Sequence, residues 1–187
     1  MTWEELENNS KRCQGCGLAA TRTNVVFGRG NKDADLLFVG EGPGHNEDLQ
    51  GKAFVGQAGK LLDLALDAIG FAENDYYITN VVKCRPPENR NPLPEECAAC
   101  MPLLRKQYAL IKPKIVVCLG SIACANLLSP DAKVTNSRTK WIEKGGTLFT
   151  ATYHPAALLR DERKKLDMYN DLCEVKRKLD ELTGGEK

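Results

Sequence analysis

The residues with the clearest chemical potential lie in the stretch GEGPGHNED at 40–48. Its three glycines let a ligand approach the backbone closely, as in phosphate-binding loops. A phosphate loop would add a Lys, and a dinucleotide fingerprint would need a glycine where His45 stands. This loop carries the carboxylates of Glu41, Glu47 and Asp48 instead. Such a loop could fit a flat neutral base joined to a sugar that becomes cationic, and it could equally be a simple turn between strand and helix.

Two further polar residues are unusual for their positions. Asn80 falls late in a β-rich run, although Asn is depleted in strands, and a buried amide could read the edge of a base. His154, one of two histidines, stands in YHP at the end of another apolar run. Each also has an ordinary interpretation, an internal hydrogen bond for Asn80 and a structural role for His154.

Eight cysteines in a chain of this kind indicate metal binding or reactive thiols more than a disulfide scaffold. Cys13 and Cys16 have metal-ligand spacing in CQGC. Their partners are ambiguous. Cys97 with Cys100 would complete a structural zinc site, whereas Cys84 with Cys100 would give four thiolates for an iron–sulfur cluster. The three remaining cysteines are expected to be small core residues.

Strands and helices that alternate along the chain would position these residues. The apolar patterning predicts strands at 35–41, 76–84, 114–120 and 146–155, and helices at 59–70, 94–111, 121–128 and 161–183. This order predicts an α/β fold whose mostly parallel sheet has helices on both faces. Ligands of such sheets bind beyond the carboxyl ends of the strands, where the polar residues above fall.

Length and charge narrow the class of protein. A chain of 187 residues suits one domain, here 1–187, and a net charge of +1 argues against a polybasic binder. The first residues are polar, without the pattern of a secretory signal, and the apolar run at 115–119 is far shorter than a membrane span. We therefore expect a cytoplasmic protein that does not bind membranes.

Four motifs in order extend these observations over nearly the whole chain: GEGPGHNEDLQGKAFVGQAGKLL, YITNVVKCRPPENRNP, ACMPLLRKQ and TYHPAALLR. With them the chain resembles the family 4 uracil-DNA glycosylases, the iron–sulfur branch of their superfamily. The resemblance implies a three-layer α/β/α sandwich with a central, mainly parallel four-stranded sheet. It also implies a DNA repair enzyme that flips uracil out of single- or double-stranded DNA, hydrolyses its N-glycosidic bond and leaves an abasic site.

The resemblance assigns roles to individual residues. It implies a [4Fe-4S] cluster as cofactor, held by Cys13, Cys16, Cys84 and Cys100. It implies uracil binding by Gly42, Glu47, Phe54, Asn80 and His154, with Phe54 stacked on the base and Glu47 excluding the thymine methyl group. Glu41 and His154 would be the catalytic residues, Glu41 favouring the sugar cation and His154 the uracil anion.

DNA contacts follow from the same resemblance. Arg85 and Arg160 would contact phosphates, and Leu158 would enter the base stack as a wedge. The partner is uracil-containing DNA, and we expect the chain to act as a monomer. The alternative from another class is a non-catalytic nucleic-acid-binding module with structural zinc on Cys13, Cys16, Cys97 and Cys100.

Overall fold

The computed structural model describes residues 1–184. Its centre is a six-stranded sheet with the strand order β1-β3-β2-β4-β6-β5. The strands are β1 (Arg29–Gly30), β2 (Leu36–Gly40), β3 (Tyr76–Asn80), β4 (Ile115–Leu119), β5 (Ile142–Lys144) and β6 (Thr147–Thr152). The four central strands β3, β2, β4 and β6 are parallel, whereas β1 and β5 pair antiparallel at the two edges.

Eight α-helices surround the sheet in the described part of the chain. They are α1 (Trp3–Lys11), α2 (His45–Gln50), α3 (Gln57–Ala68), α4 (Pro94–Ile111), α5 (Ser121–Leu127), α6 (Val134–Ser137), α7 (Pro155–Arg160) and α8 (Lys164–Thr183). None of the helices in residues 1–184 combines the length and the apolar character that a membrane span requires.

Side chains of the central strands alternate between two core layers, as the period of a strand dictates. In β2, Leu36 and Phe38 pack in the layer that contains residues of α3 and α8. Leu37 and Val39 pack in the opposite layer, with residues of α4 and α5. All four side chains are at most 1% exposed. Burial on both faces explains the uninterrupted apolar run of this strand and confirms the α/β fold with helices on both sides.

The predicted number of four strands was wrong, because the sheet has six. The two antiparallel edge strands also make the sheet mixed. The four predicted strands are the four parallel ones. The two missed strands lie at the edges and have only two and three residues, too few for an alternating pattern. All three residues of β5 are exposed, so this strand has no buried face that would give an apolar pattern in the sequence.

The parallel register brings the carboxyl ends of the central strands to one edge of the sheet. Gly40 of β2 pairs with Asn80 of β3, and Leu119 of β4 pairs with Thr152 of β6. The residues that follow these strand ends therefore meet at this edge, and the candidate site lies there.

Candidate active site

A cavity of about 410 Å³ opens at this edge of the sheet. Its walls come from the loop after β2, the segment before α3, the end of β3, the loop at 86–91 and α7. The residues predicted for base binding and catalysis all line it, together with one predicted DNA contact: Glu41, Gly42, Glu47, Phe54, Asn80, His154 and Arg160. Residues that are far apart in sequence thus share one cavity of a size that suits a small molecule.

Asn80 holds an unpaired polar atom in this cavity. The residue is 1% exposed, and its Oδ1 is the buried side-chain atom without a hydrogen-bond partner within residues 1–184. Its main-chain carbonyl is fixed, since it accepts from Lys83 Nζ at 2.6 Å. A buried acceptor without a partner costs free energy, so such an atom indicates a ligand that supplies the missing donor.

Gly40 allows the side chains of Asn80 and Phe54 to converge. A Cβ atom at Gly40 would lie 2.5 Å from Asn80 Oδ1 and 2.6 Å from Phe54 Cζ, distances too short for any side chain. Sequence reasoning missed this role. A glycine directly opposite an asparagine permits this close approach, but the pairing of the two residues appears only in the folded sheet.

Phe54 and Glu47 form one structural unit. Phe54 is 6% exposed, and its ring lies 5.8 Å from that of His154, centroid to centroid. Glu47 Oε1 accepts from the main-chain N–H groups of Val55 at 2.9 Å and Gly56 at 2.7 Å. The carboxylate of Glu47 therefore lines the cavity and also anchors the segment that carries the aromatic ring.

His154 has a defined protonation state. Its Nδ1 accepts from the N–H of Ala156 at 3.1 Å, so in the neutral ring the proton is on Nε2. The pKa of His154 is lowered to about 4, mainly by burial and also by the charge of Arg160, while Glu47 acts in the opposite direction. A neutral imidazole with a donating Nε2–H therefore lines the cavity at neutral pH.

Glu41 and Arg160 place opposite charges at the same cavity. Burial raises the pKa of Glu41, and the positive charge of Arg160 opposes this change. Arg160 is exposed at the end of α7, where it can reach a ligand in solvent. Arg85, by contrast, does not line the cavity. Its guanidinium donates to Asn89 Oδ1 at 2.7 Å and lies 3.2 Å from the Nδ1 atom of His45, near the surface.

Leu158, the predicted wedge, does not lie at the surface of this structure. Leu158 is 2% exposed and packs in the core with Leu62 of α3 and Met168 of α8, so its side chain is not available as a surface wedge. Successive residues of a helix point about 100° apart, so only one of two adjacent leucines in α7 can face the core. Leu159 is the one at the surface, 48% exposed.

The four cysteines predicted as ligands share a second, smaller cavity, lined by Cys13, Cys16, Cys84 and Cys100. Cys97 does not line it, although it lies in the same helix as Cys100. Its side chain is 4% exposed and packs in the core beside α5. No group of three or more His, Cys, Asp or Glu side chains in residues 1–184 forms a site for a metal ion.

Hydrogen-bond donors lie beside two of the sulfur atoms in this cavity. Arg22 donates to Cys84 Sγ at 3.5 Å, and the N–H of Gly15 donates to Cys13 Sγ at 3.4 Å. Burial raises the pKa of Cys84 to about 11, and Arg22 acts in the opposite direction. Lys83 is 1% exposed, and it forms no ion pair with a carboxylate of residues 1–184. Burial lowers the pKa of Lys83 to about 7, and negative charge on the nearby Cys100 and Cys84 would act in the opposite direction.

The fold and the larger cavity define an α/β protein with a pocket of polar and aromatic side chains at the carboxyl ends of its parallel strands. The chain belongs to the Uracil DNA glycosylase superfamily, whose family model matches residues 27–176.

Curated relatives cover most of the chain. A type-4 uracil-DNA glycosylase of Thermotoga maritima is 44% identical over 87% of this chain and 86% of its own length. A type-4 uracil-DNA glycosylase of Archaeoglobus fulgidus is 43% identical over 97% of this chain and 93% of its own length. A third type-4 uracil-DNA glycosylase, from Saccharolobus solfataricus, is 40% identical over 93% of this chain and 85% of its own length. The family expected from the four motifs is thereby confirmed.

Proposed function

We propose that this chain is a monofunctional uracil-DNA glycosylase that flips uracil out of single- or double-stranded DNA and hydrolyses its N-glycosidic bond, leaving an abasic site. The single observation that carries this proposal is the unpaired Oδ1 of Asn80 in a cavity that is also lined by Phe54 and His154. The names of the type-4 relatives support the same activity.

Recognition of the base follows from donors and acceptors. Uracil offers an N3–H donor and an O4 acceptor, and the amide of Asn80 can match both when Oδ1 meets N3–H. Cytosine reverses this pattern at both atoms, so it leaves the buried amide unpaired and is rejected. Phe54 stacks on the flipped ring. Glu47 stands at the C5 edge, where it leaves no room for the methyl group of thymine.

Bond cleavage creates two opposite charges, a cationic sugar and a uracil anion. The carboxylate of Glu41 favours the cation, and the Nε2–H of His154 donates to O2 as negative charge develops there. Because these groups are already oriented, they stabilise the transition state without reorganisation, and one such donor contributes roughly 3 kcal/mol. Water is the only co-substrate. Among the described residues no Lys lines the cavity, which fits hydrolysis without a Schiff-base step.

DNA contacts complete the proposal. Arg85 and Arg160 contact phosphates, and their contribution falls as salt rises. The exposed Leu159 takes the wedge role that the resemblance placed at Leu158, entering the stack as the base leaves. Flipping costs a few kcal/mol in a duplex and less in a single strand, so a wedge matters most for paired uracil.

A [4Fe-4S] cluster held by Cys13, Cys16, Cys84 and Cys100 is part of the proposal. The cavity that the four thiols share and the donors to two of the sulfur atoms support it. When bound, the cluster would link the N-terminal segment to α4 and contribute folding energy by closing a long loop. We also propose that the chain acts as a monomer, and the cytoplasmic location remains a prediction.

The second candidate is a non-catalytic nucleic-acid-binding module with structural zinc. It needs Cys97 as a ligand with Cys13, Cys16 and Cys100. The position of Cys97 outside the shared cavity argues against this set. Metal analysis of aerobically purified protein separates the two candidates, since the first predicts iron and brown colour and the second predicts zinc.

The decisive test of function is incubation with an oligonucleotide that contains one uracil, followed by alkali to cleave abasic sites. Matched oligonucleotides with cytosine or thymine at the same position are the controls. We expect cleavage only with uracil. Intact uracil DNA would refute the proposed activity.

A further inference from the structure

Phe54 has an unfavourable backbone conformation. Its φ angle is 53°, in the left-handed region that residues with a side chain seldom occupy. For a bulky residue such a conformation costs about 1–3 kcal/mol and persists only when surrounding contacts enforce it. The segment around Phe54 must therefore be held by specific partners, and their identity bears on how the proposed stacking ring is positioned.

Arg29 holds this segment from the edge of the sheet. The residue lies in β1, and its side chain is 7% exposed. Its Nε donates to the main-chain oxygen of Ala53 at 2.8 Å, and one terminal nitrogen reaches the main-chain oxygen of Phe54 at 3.5 Å. One guanidinium therefore contacts two successive carbonyl groups, one of which belongs to the strained residue itself.

The guanidinium is itself oriented by two carboxylates. It pairs with Asp63 of α3 and, at 3.2 Å, with Glu73. Both acids are about half exposed, with side-chain exposures of 44% and 58%. Exposed ion pairs contribute little to stability, so the carboxylates act mainly by directing the buried fork of Arg29 towards the carbonyl groups.

Contacts from Glu47 and Gly59 hold the other side of the segment. Glu47 binds the two N–H groups that follow Phe54. Gly59 of α3 packs directly against the segment, since a Cβ atom there would lie 2.0 Å from the main-chain oxygen of Phe54. Carbonyl groups on one side and N–H groups on the other are thus fixed, and this double restraint accounts for the strained φ angle.

We propose that Arg29, which lies outside the cavity, is a positioning residue for the proposed uracil-stacking ring of Phe54. It sets the height and tilt of the ring through the carbonyl groups of Ala53 and Phe54. This inference rests on the proposed function, because it gives the ring a substrate to stack on. A lysine cannot replace the arginine, since a single ammonium group cannot bond both carbonyl groups and both carboxylates in one plane.

The test is a double-mutant cycle in single-turnover uracil excision, with wild type, Arg29→Lys, Phe54→Ala and the double variant. A misplacement of about 1 Å can cost up to ~100-fold in rate, so we expect Arg29→Lys to lose about tenfold when Phe54 is present. In the Phe54→Ala background it should change the rate less than about twofold, because there is no ring to misplace. The matched control is Arg177→Lys, the same change at an exposed arginine of α8 that pairs with Glu174 and Glu181 of its own helix and lies outside the cavity; it should excise at the wild-type rate.

Equal losses from Arg29→Lys in both backgrounds would overturn the inference and make Arg29 a general structural residue. No loss beside an intact Phe54 would overturn it as well. Thermal melts establish that each variant is folded, and Arg29→Gln replaces Arg29→Lys in the cycle if the lysine variant is not. Inactive wild-type protein would instead refute the proposed function, so the two failures are distinguishable.

Discussion

Replacement of His154 tests whether a neutral imidazole stabilises the leaving uracil. His154→Ala removes the Nε2–H donor, and removal of one donor to a developing oxyanion costs about 10²–10³ in rate, or ~2.7–4 kcal/mol. His45→Ala is the matched control. His45 is the other histidine of the chain, is exposed and lies outside the cavity.

The pH dependence follows from the lowered pKa of His154, about 4. An ordinary histidine titrates near 6.5, so above that pH both folded and unfolded chains hold the ring neutral. As the pH falls from about 6.5 towards 4, the unfolded chain takes up the proton first. The contribution of His154 to stability is therefore complete above about pH 6.5 and is lost towards pH 4, whereas the donor itself stays neutral between pH 5 and 8.

The assay is single-turnover excision from a uracil oligonucleotide at saturating enzyme, between pH 5 and 8. We expect the excision rate of His154→Ala to be lower by about a hundredfold or more at every pH, and the rate of His45→Ala to match that of wild type. The pH–rate profile of wild type should show no inflection near pH ~6.5 that can be assigned to His154. If the rate of wild type fell above pH ~6.5 and that of His154→Ala did not, the group that stabilises the leaving uracil would be a charged imidazolium. A near-normal rate in folded His154→Ala would leave His154 a structural residue.

The remaining predictions concern charge, the wedge and the cluster. Glu41→Gln should slow excision and remove an acid limb of the pH–rate profile, because burial raises the pKa of Glu41 above its usual range and its carboxylate is lost as the pH falls; an unchanged acid limb would contradict this. Leu159→Ala should slow excision from a U·A duplex far more than from single strands. Equal losses of rate on both substrates would exclude Leu159 as the wedge. Leu158→Ala should instead lower the melting temperature, because Leu158 is buried in the core. Cys84→Ala should abolish brown colour and soluble expression while Cys97→Ala keeps both, and the opposite pattern would move the ligand set to the zinc arrangement.

Much of the fold could be predicted because long apolar runs carry a strong signal. The strand Ile115–Leu119 and the helix Pro94–Ile111 lie where their patterns predict. Polar residues at strand ends, such as Asn80 and His154, also converge as the rule for parallel sheets requires. The two edge strands were missed since pairing, not pattern, forms them.

The features that sequence reasoning missed depend on which way side chains point in the folded protein. Whether Leu158 or Leu159 faces solvent is set by the packing of α7 on α3, which adjacent identical side chains cannot reveal. Gly40 and Arg29 were missed for a related reason. Their roles arise from contacts with residues 14 to 44 positions away along the chain, and one sequence does not display such contacts.

The central claim is that Asn80 reads uracil. Asn80→Ala removes an atom that has no partner in the described structure, so it should leave the melting temperature unchanged or slightly higher. Asn126→Ala is the matched control, because Asn126 bonds a carbonyl of its own helix at 2.8 Å and lies outside the cavity.

The most direct measurement is the release of radiolabelled uracil from DNA in single turnover by wild type, Asn80→Ala and Asn126→Ala. We predict that wild type and Asn126→Ala release free uracil at similar rates, and that folded Asn80→Ala is slower by about a hundredfold or more, because two hydrogen bonds to the base edge are lost. Release of uracil by Asn80→Ala at the wild-type rate would contradict the account.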